Sequence, residues 1–113
     1  MENTRIKVGC DIVEIERIRK LQRSHLLKIF YEDEIYKSST ESTAGLLAAK
    51  ESCRKVFNEL KWHDIKIVKD KKGRPTLKLN DRKVLKKIIS RDLSISHDGN
   101  YAIATAVFIL NGD

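Results

Sequence analysis

Three polar features stand where a plain hydrophobic pattern would place apolar residues. Asp11 lies near the end of the alternating stretch Ile6-Lys7-Val8-Gly9-Cys10-Asp11-Ile12-Val13. Glu51 lies inside a segment whose first half, from Ala44 to Ala49, is apolar nearly all round. Ser94, Ser96 and His97 interrupt a late apolar stretch just before Asp98-Gly99-Asn100. A buried carboxylate is costly unless it is paired, hydrogen-bonded or bound to a metal. Two carboxylates with free oxygens suit a hard cation such as Mg²⁺, which keeps waters and takes substrate phosphates as further ligands. Simpler readings stand beside this one. Glu51 and Lys55, at i and i+4, form an ordinary helix ion pair. Asp11 can cap a following helix, and His97 can be a hydrogen-bonded residue at a turn.

Other site chemistries find little support. There is no P-loop and no dinucleotide-binding glycine motif. Ser96 and His97 are adjacent in a strand, so they point to opposite faces and make no nucleophile–base couple. Cys10 and Cys53 lack CxxC spacing, and with three His no zinc pattern appears. The thiols read as buried groups of a reducing compartment. Trp62, Tyr31, Tyr36 and Tyr101 are too dispersed for a base-stacking platform.

The elements that must position these residues follow from periodicity. Residues 6–13 alternate as a half-buried strand, with Ile6, Val8, Cys10 and Ile12 on one face and Asp11 on the other. Residues 14 to about 29 switch to a helical period. Ile15, Ile18, Leu21, Gln22, Leu26 and Ile29 form its stripe, and Arg17, Arg19, Lys20 and Arg23 form a basic outer face. Ser38-Ser39-Thr40-Glu41 reads as a capping box opening a second helix that runs to about Leu60. Residues 64–70 and 76–79 form a hairpin turned by Asp70-Lys71-Lys72-Gly73-Arg74-Pro75. Asn80 or Asp81 caps a short helix holding Val84, Leu85, Ile88 and Ile89. Leu93 to His97 is a strand, and Asp98-Gly99-Asn100 turns it into a last strand from Tyr101 to Leu110. The order β-α-α-β-β-α-β-β predicts one α+β domain over residues 1–113, a mainly antiparallel sheet packed with helices.

At 113 residues the chain buries roughly two-thirds of its unfolded surface and has little room for a deep private pocket. A large substrate needs an open cleft or a second subunit. No uncharged run reaches the about 20 residues of a membrane span, and the N-terminus carries no apolar signal core, so a cytoplasmic protein is expected. Lys and Arg number 23 against 16 Asp and Glu, a net charge of +7. Such a balance suits a polyanionic partner or a solvated surface. One alternative is a small basic nucleic-acid-binding module using Arg17, Lys20, Arg23 and the turn Lys69–Arg74. It gives Asp11 and Glu51 no role.

Three collinear stretches resemble one family. Val8-Gly9-Cys10-Asp11-Ile12-Val13-Glu14-Ile15-Glu16-Arg17-Ile18 resembles the opening strand–helix motif of holo-[acyl-carrier-protein] synthases. Ala48-Ala49-Lys50-Glu51-Ser52-Cys53-Arg54-Lys55 is similar to their second motif. Leu93-Ser94-Ile95-Ser96-His97-Asp98 followed by Tyr101-Ala102-Ile103-Ala104 resembles their C-terminal strand pair, and Gly73-Arg74-Pro75 their hairpin turn. The chain departs from the family's usual Gly-Arg-Phe at Gly45-Leu46-Leu47, and it lacks a Gly-rich loop after the second helix.

The resemblance implies a 4′-phosphopantetheinyl transferase fold and activity in lipid and fatty acid biosynthesis. Such an enzyme moves the phosphopantetheine arm of coenzyme A onto a serine of apo acyl carrier protein and releases adenosine 3′,5′-bisphosphate. By the same resemblance Asp11 and Glu51 are the Mg²⁺ ligands. Glu51, Asp11 and Lys55 form the catalytic set, with Glu51 as the base, directly or through water. Lys50, Lys55, His97, Gly73 and Pro75 contact coenzyme A, and Arg17, Lys20 and Arg23 dock the carrier protein. The implied assembly is a homotrimer with sites between subunits. Neither nucleic acid nor membrane is a partner in this reading, and a non-catalytic structural homologue is the remaining alternative.

Overall fold

The computed structural model describes residues 3–112. Its centre is β5 (Tyr101–Asn111), where Ala102, Ala104, Ala106, Phe108 and Leu110 alternate inward and are buried. This strand pairs antiparallel with β1 (Thr4–Glu14) on one side and β4 (Ile88–Asp98) on the other. The register sets Gly9, Ala106 and Leu93 in one inward row, Asp11, Ala104 and Ile95 in the next, and Val13, Ala102 and His97 in a third. Helix α4 (Thr40–Val56) crosses these rows, with Ser39 as its N-cap accepting from the Ser42 amide at 3.0 Å. Small residues let it approach closely. A Cβ on Gly9 would stand 1.9 Å from the Ser52 carbonyl oxygen, and the Ser52 hydroxyl donates to Ala104 O at 3.0 Å. Only glycine fits at that crossing.

This packing inverts one expectation. The apolar row Ile6, Val8, Cys10 and Ile12 faces outward, and the buried face of β1 is that of Gly9, Asp11 and Val13. Close helix approach selects the row with glycine, not the row with the most apolar area. Cys10 is therefore exposed, contrary to the buried thiol expected, whereas Cys53 is buried.

The helical stretch after β1 is broken into α1 (Ile15–Arg19) and α2 (Arg23–Ile29), and a short α3 (Glu32–Ile35) follows that the periodicity did not suggest. The break turns the chain so that Phe30 enters the core. Helix α4 ends at Val56, short of Leu60, because Phe57 leaves helical geometry to meet Phe108 edge-on at 5.0 Å. A 3₁₀ turn, Trp62–Asp64, leads into the hairpin of β2 (Ile65–Lys69) and β3 (Pro75–Leu79), which is a separate two-stranded sheet. Its turn is held by Asp70 Oδ1, which accepts from the Lys72 and Arg74 amides, and by Gly73 at φ +81°. Asp81 caps α5 (Arg82–Lys87) through the Val84 amide. Ile88 and Ile89 were expected in that helix but belong to β4, where pairing with β5 outweighs marginal seventh and eighth helical positions. The α+β class with antiparallel sheets packed by helices stands as read from the sequence.

Candidate active site

Asp11 projects from the inward face of β1 beneath α4, opposite Ala104. Its Oδ1 pairs with Lys55 Nζ at 2.9 Å, and the same ammonium donates to the Cys10 carbonyl at 2.8 Å. Asp11 Oδ2 is buried without a hydrogen-bond partner. Glu51, one helical turn before Lys55, lies against Asp11, and its Oε1 receives Arg17 Nη2 at 3.3 Å. The sequence suggested a Glu51–Lys55 pair within the helix. Tertiary contact crosses the partners over, so Lys55 serves Asp11 and Arg17 serves Glu51.

The electrostatics follow from this arrangement. Burial, together with the Asp11 carboxylate beside it, pushes Glu51 up to about 7, and Arg17 offsets only part of this. Burial also acts to raise Asp11, but the adjoining Glu51 carboxyl, which holds the pair's proton the more readily, and the hydrogen bond and charge of Lys55 outweigh it and hold Asp11 below the usual carboxylate range. Two like-charged groups in contact, one with an oxygen that has no donor, fit a hard cation as the missing partner. Among the described residues no cluster of three or more His, Cys, Asp or Glu gathers. The pair can therefore supply only part of a coordination shell, and waters or phosphate oxygens must supply the rest.

His97 ends β4, with its Nε2 2.9 Å from the Glu41 carbonyl oxygen. A Cβ on Gly45 would stand 2.9 Å from that same nitrogen, so Gly45 makes the room His97 occupies. His97, Gly73 and Pro75 line one cavity of about 800 Å³ between the start of α4 and the β2–β3 hairpin. Lys37, Lys66, Lys69 and Lys78 line it too; of these only Lys69 was named from sequence, in the nucleic-acid alternative. One signal was available: Lys66 and Lys78 are direct cross-strand partners. Like charges opposite each other are unfavourable without an anion nearby, and within this fold Asp33 Oδ2 accepts from Lys66 Nζ at 2.8 Å. Asp11 and Glu51 are not among the residues lining this cavity.

Lys50 is a correction. It was expected at phosphate, but its ammonium is fully buried. It donates to Glu34 Oε1 and Ile65 O at 2.8 Å, to Ile29 O at 2.9 Å and to Trp62 O at 3.3 Å. Successive helix residues diverge by about 100°, so Lys50 points inward while Glu51 faces Asp11. Arg17, Lys20 and Arg23 are exposed on and just after α1. Arg17 reaches Glu51, Arg23 lies 3.9 Å from Glu32, and Lys20 makes no ion pair among the described residues.

The family model of the 4′-phosphopantetheinyl transferase superfamily matches residues 7–106. The chain belongs to this superfamily. The holo-[acyl-carrier-protein] synthase of Sulfurovum sp. is 39% identical to this transferase over 115 aligned positions, covering 89% of this chain and 94% of that relative. The synthase of Campylobacter fetus is 39% identical over 111, covering 88% and 96%. The Helicobacter pylori holo-[acyl-carrier-protein] synthase, solved in complex with coenzyme A, superposes with a TM-score of 0.83 at 37% identity, covering 90% of this chain and 99% of that one. The family read from the motifs is thus the family of the whole chain, and the chain is a transferase enzyme. This sets the nucleic-acid alternative aside.

Proposed function

We propose that this transferase moves the 4′-phosphopantetheine arm of coenzyme A onto a serine hydroxyl of an apo acyl carrier protein. The observation that carries the reading is the buried Asp11 Oδ2 without a donor, facing a Glu51 pushed up to about 7. Asp11 and Glu51 would hold Mg²⁺, which when bound supplies charge neutralisation on the pyrophosphate. The serine oxygen forms a bond to the phosphorus that carries the pantetheine arm. The bond from that phosphorus to the bridging oxygen breaks, and adenosine 3′,5′-bisphosphate leaves. Glu51 takes the serine proton, directly or through one water. Lys55 fixes the Asp11 carboxylate and adds positive charge beside the phosphates. His97, Gly73 and Pro75, with the cavity lysines, receive the nucleotide end of coenzyme A. Arg17, Lys20 and Arg23 meet an acidic carrier protein.

The metal pair and the cavity lie apart on one chain, which favours a site completed between copies. The outward row of β1 supports this: Ile6 is 69% exposed and Val8 and Ile12 are each 58% exposed, with Ile103 of β5 beside them. An apolar sheet face of this kind calls for a cover, and a homotrimer burying it is the assembly proposed here. No helix among the described residues is long and apolar enough to cross a membrane.

The test is direct. The protein is incubated with coenzyme A, Mg²⁺ and apo acyl carrier protein, and the carrier is weighed by intact mass spectrometry. Gain of one phosphopantetheine is expected, with no gain in excess chelator. No transfer at high enzyme concentration would refute the reading.

A further inference from the structure

Lys50 and Glu34 form an ion pair in which neither side chain has any solvent exposure. Five segments converge on these two groups. The ammonium binds carbonyls at the end of α2, in the 3₁₀ turn and at the start of β2, and it projects from α4. Glu34 Oε1 also accepts from the Tyr31 amide at 2.7 Å, and its Oε2 accepts from the Ile67 amide at 2.9 Å. The ammonium also lies 5.2 Å from the centre of the Phe30 ring and 5.6 Å from that of Tyr31. The segments tied here, α3 and β2, contribute Asp33, Tyr36, Lys37, Lys66 and Lys69 to the cavity. The opposite wall includes Ser42 and Leu46 of α4.

We infer that the Lys50–Glu34 pair is a positioning device for coenzyme A, holding the α3–β2 wall of the cavity at a set distance from the helix that also carries Glu51. The inference rests on the coenzyme A reading proposed above. Lys50 does not line the cavity, and Glu34, which is among its lining residues, has a side chain with no solvent exposure and both carboxylate oxygens engaged by the fold. A buried pair is poor evidence for stability alone, because apolar groups of similar volume often serve as well. What apolar groups cannot reproduce is the set of directional bonds to three backbone carbonyls and two amides. Loss of those bonds lets the wall drift, and binding suffers before chemistry does.

The test compares the parent with the double variant Lys50→Met/Glu34→Gln, which removes both charges and keeps the volume. Coenzyme A affinity is read by calorimetry, KM and kcat by the transfer assay, and protection of the Ile67 amide by hydrogen exchange. The double variant is expected to melt below the parent, because the Ile29, Trp62 and Ile65 carbonyls lose their donor, and to stay folded at the assay temperature. It should lose Ile67 protection and bind coenzyme A roughly tenfold more weakly, raising KM while kcat stays within about threefold. A stable double variant with parental coenzyme A affinity overturns the inference. Should it not fold, Glu34→Gln alone keeps the shape and half the bonds. About threefold weaker binding is then expected, and unchanged binding overturns the inference. A parent that binds coenzyme A without transferring sinks the transfer reading but leaves the binding comparison intact. A parent that does not bind sinks both.

Discussion

Lys50 and Glu51 are neighbours on α4, both drawn into the protein, and their surroundings are opposite in kind. Every donor bond of Lys50 ends on a backbone carbonyl or on Glu34, so its charge is accounted for within the fold. Glu51 instead faces another carboxylate, whose Oδ2 has no donor at all. A satisfied buried charge organises structure; an unsatisfied one is kept for something that arrives. The sequence motif presents both as a Lys-Glu dipeptide, and only the surroundings separate their roles.

The comparison can be broken by experiment. The largest effect is expected at the unsatisfied side. Asp11→Ala should lower transfer by on the order of 10²–10³-fold or more while the melting temperature stays level or rises. A fall in stability with activity retained would reverse the assignment. Next comes the satisfied side. Lys50→Met alone strands the Glu34 carboxylate in the interior and should cost about 3–5 kcal/mol in urea unfolding. Near-parental stability would show that the pair organises little.

A smaller effect sharpens the carboxylate pair through pH. Glu51 has its folded pKa raised to about 7, above the ordinary 4.5, so the folded chain holds a proton there that the unfolded chain has released. Its contribution to stability is present at low pH and is lost as pH rises from about 4.5 through 7. Glu51→Gln mimics the protonated group. In chelator it should therefore raise stability at pH 8 by about 1–2 kcal/mol, allowing for solvent screening, and change little at pH 5. An equal effect at both pH values would remove the repulsion argument. The smallest effect belongs to the docking helix. Arg17 is a compromised probe because it also touches Glu51. Lys20→Glu should raise the KM for carrier protein a few-fold at low salt and leave that for coenzyme A unchanged. An unchanged response to carrier concentration would count against that face.

Much of this was legible in the residues. The hairpin with its Gly73 turn, the cap at Asp81 and the last strand all depend on local chemistry, and the structure has them where the sequence put them. The serine cap of α4 was legible too, but it is Ser39 accepting from Ser42 and not the capping box from Ser38 to Glu41. The side of β1 that is buried was not legible. Alternation shows that a strand has two faces, but the choice between them depends on what packs there. The setting of Lys50, three backbone carbonyls and one carboxylate, was equally hidden, since its partners come from residues 29 to 65. The cavity lysines were half legible, through the cross-strand Lys66–Lys78 pairing.

By itself the sequence determined the α+β class, the family, and which residue types stand at the motif positions, because these rest on local order along the chain. Only the tertiary structure decided that Lys55 leaves Glu51 for Asp11 while Arg17 takes up Glu51, that Lys50 turns inward, and that an apolar row faces outward. Those outcomes are set by helix-on-sheet approach over Gly9 and by bonds between residues far apart in the chain, and no local period encodes either.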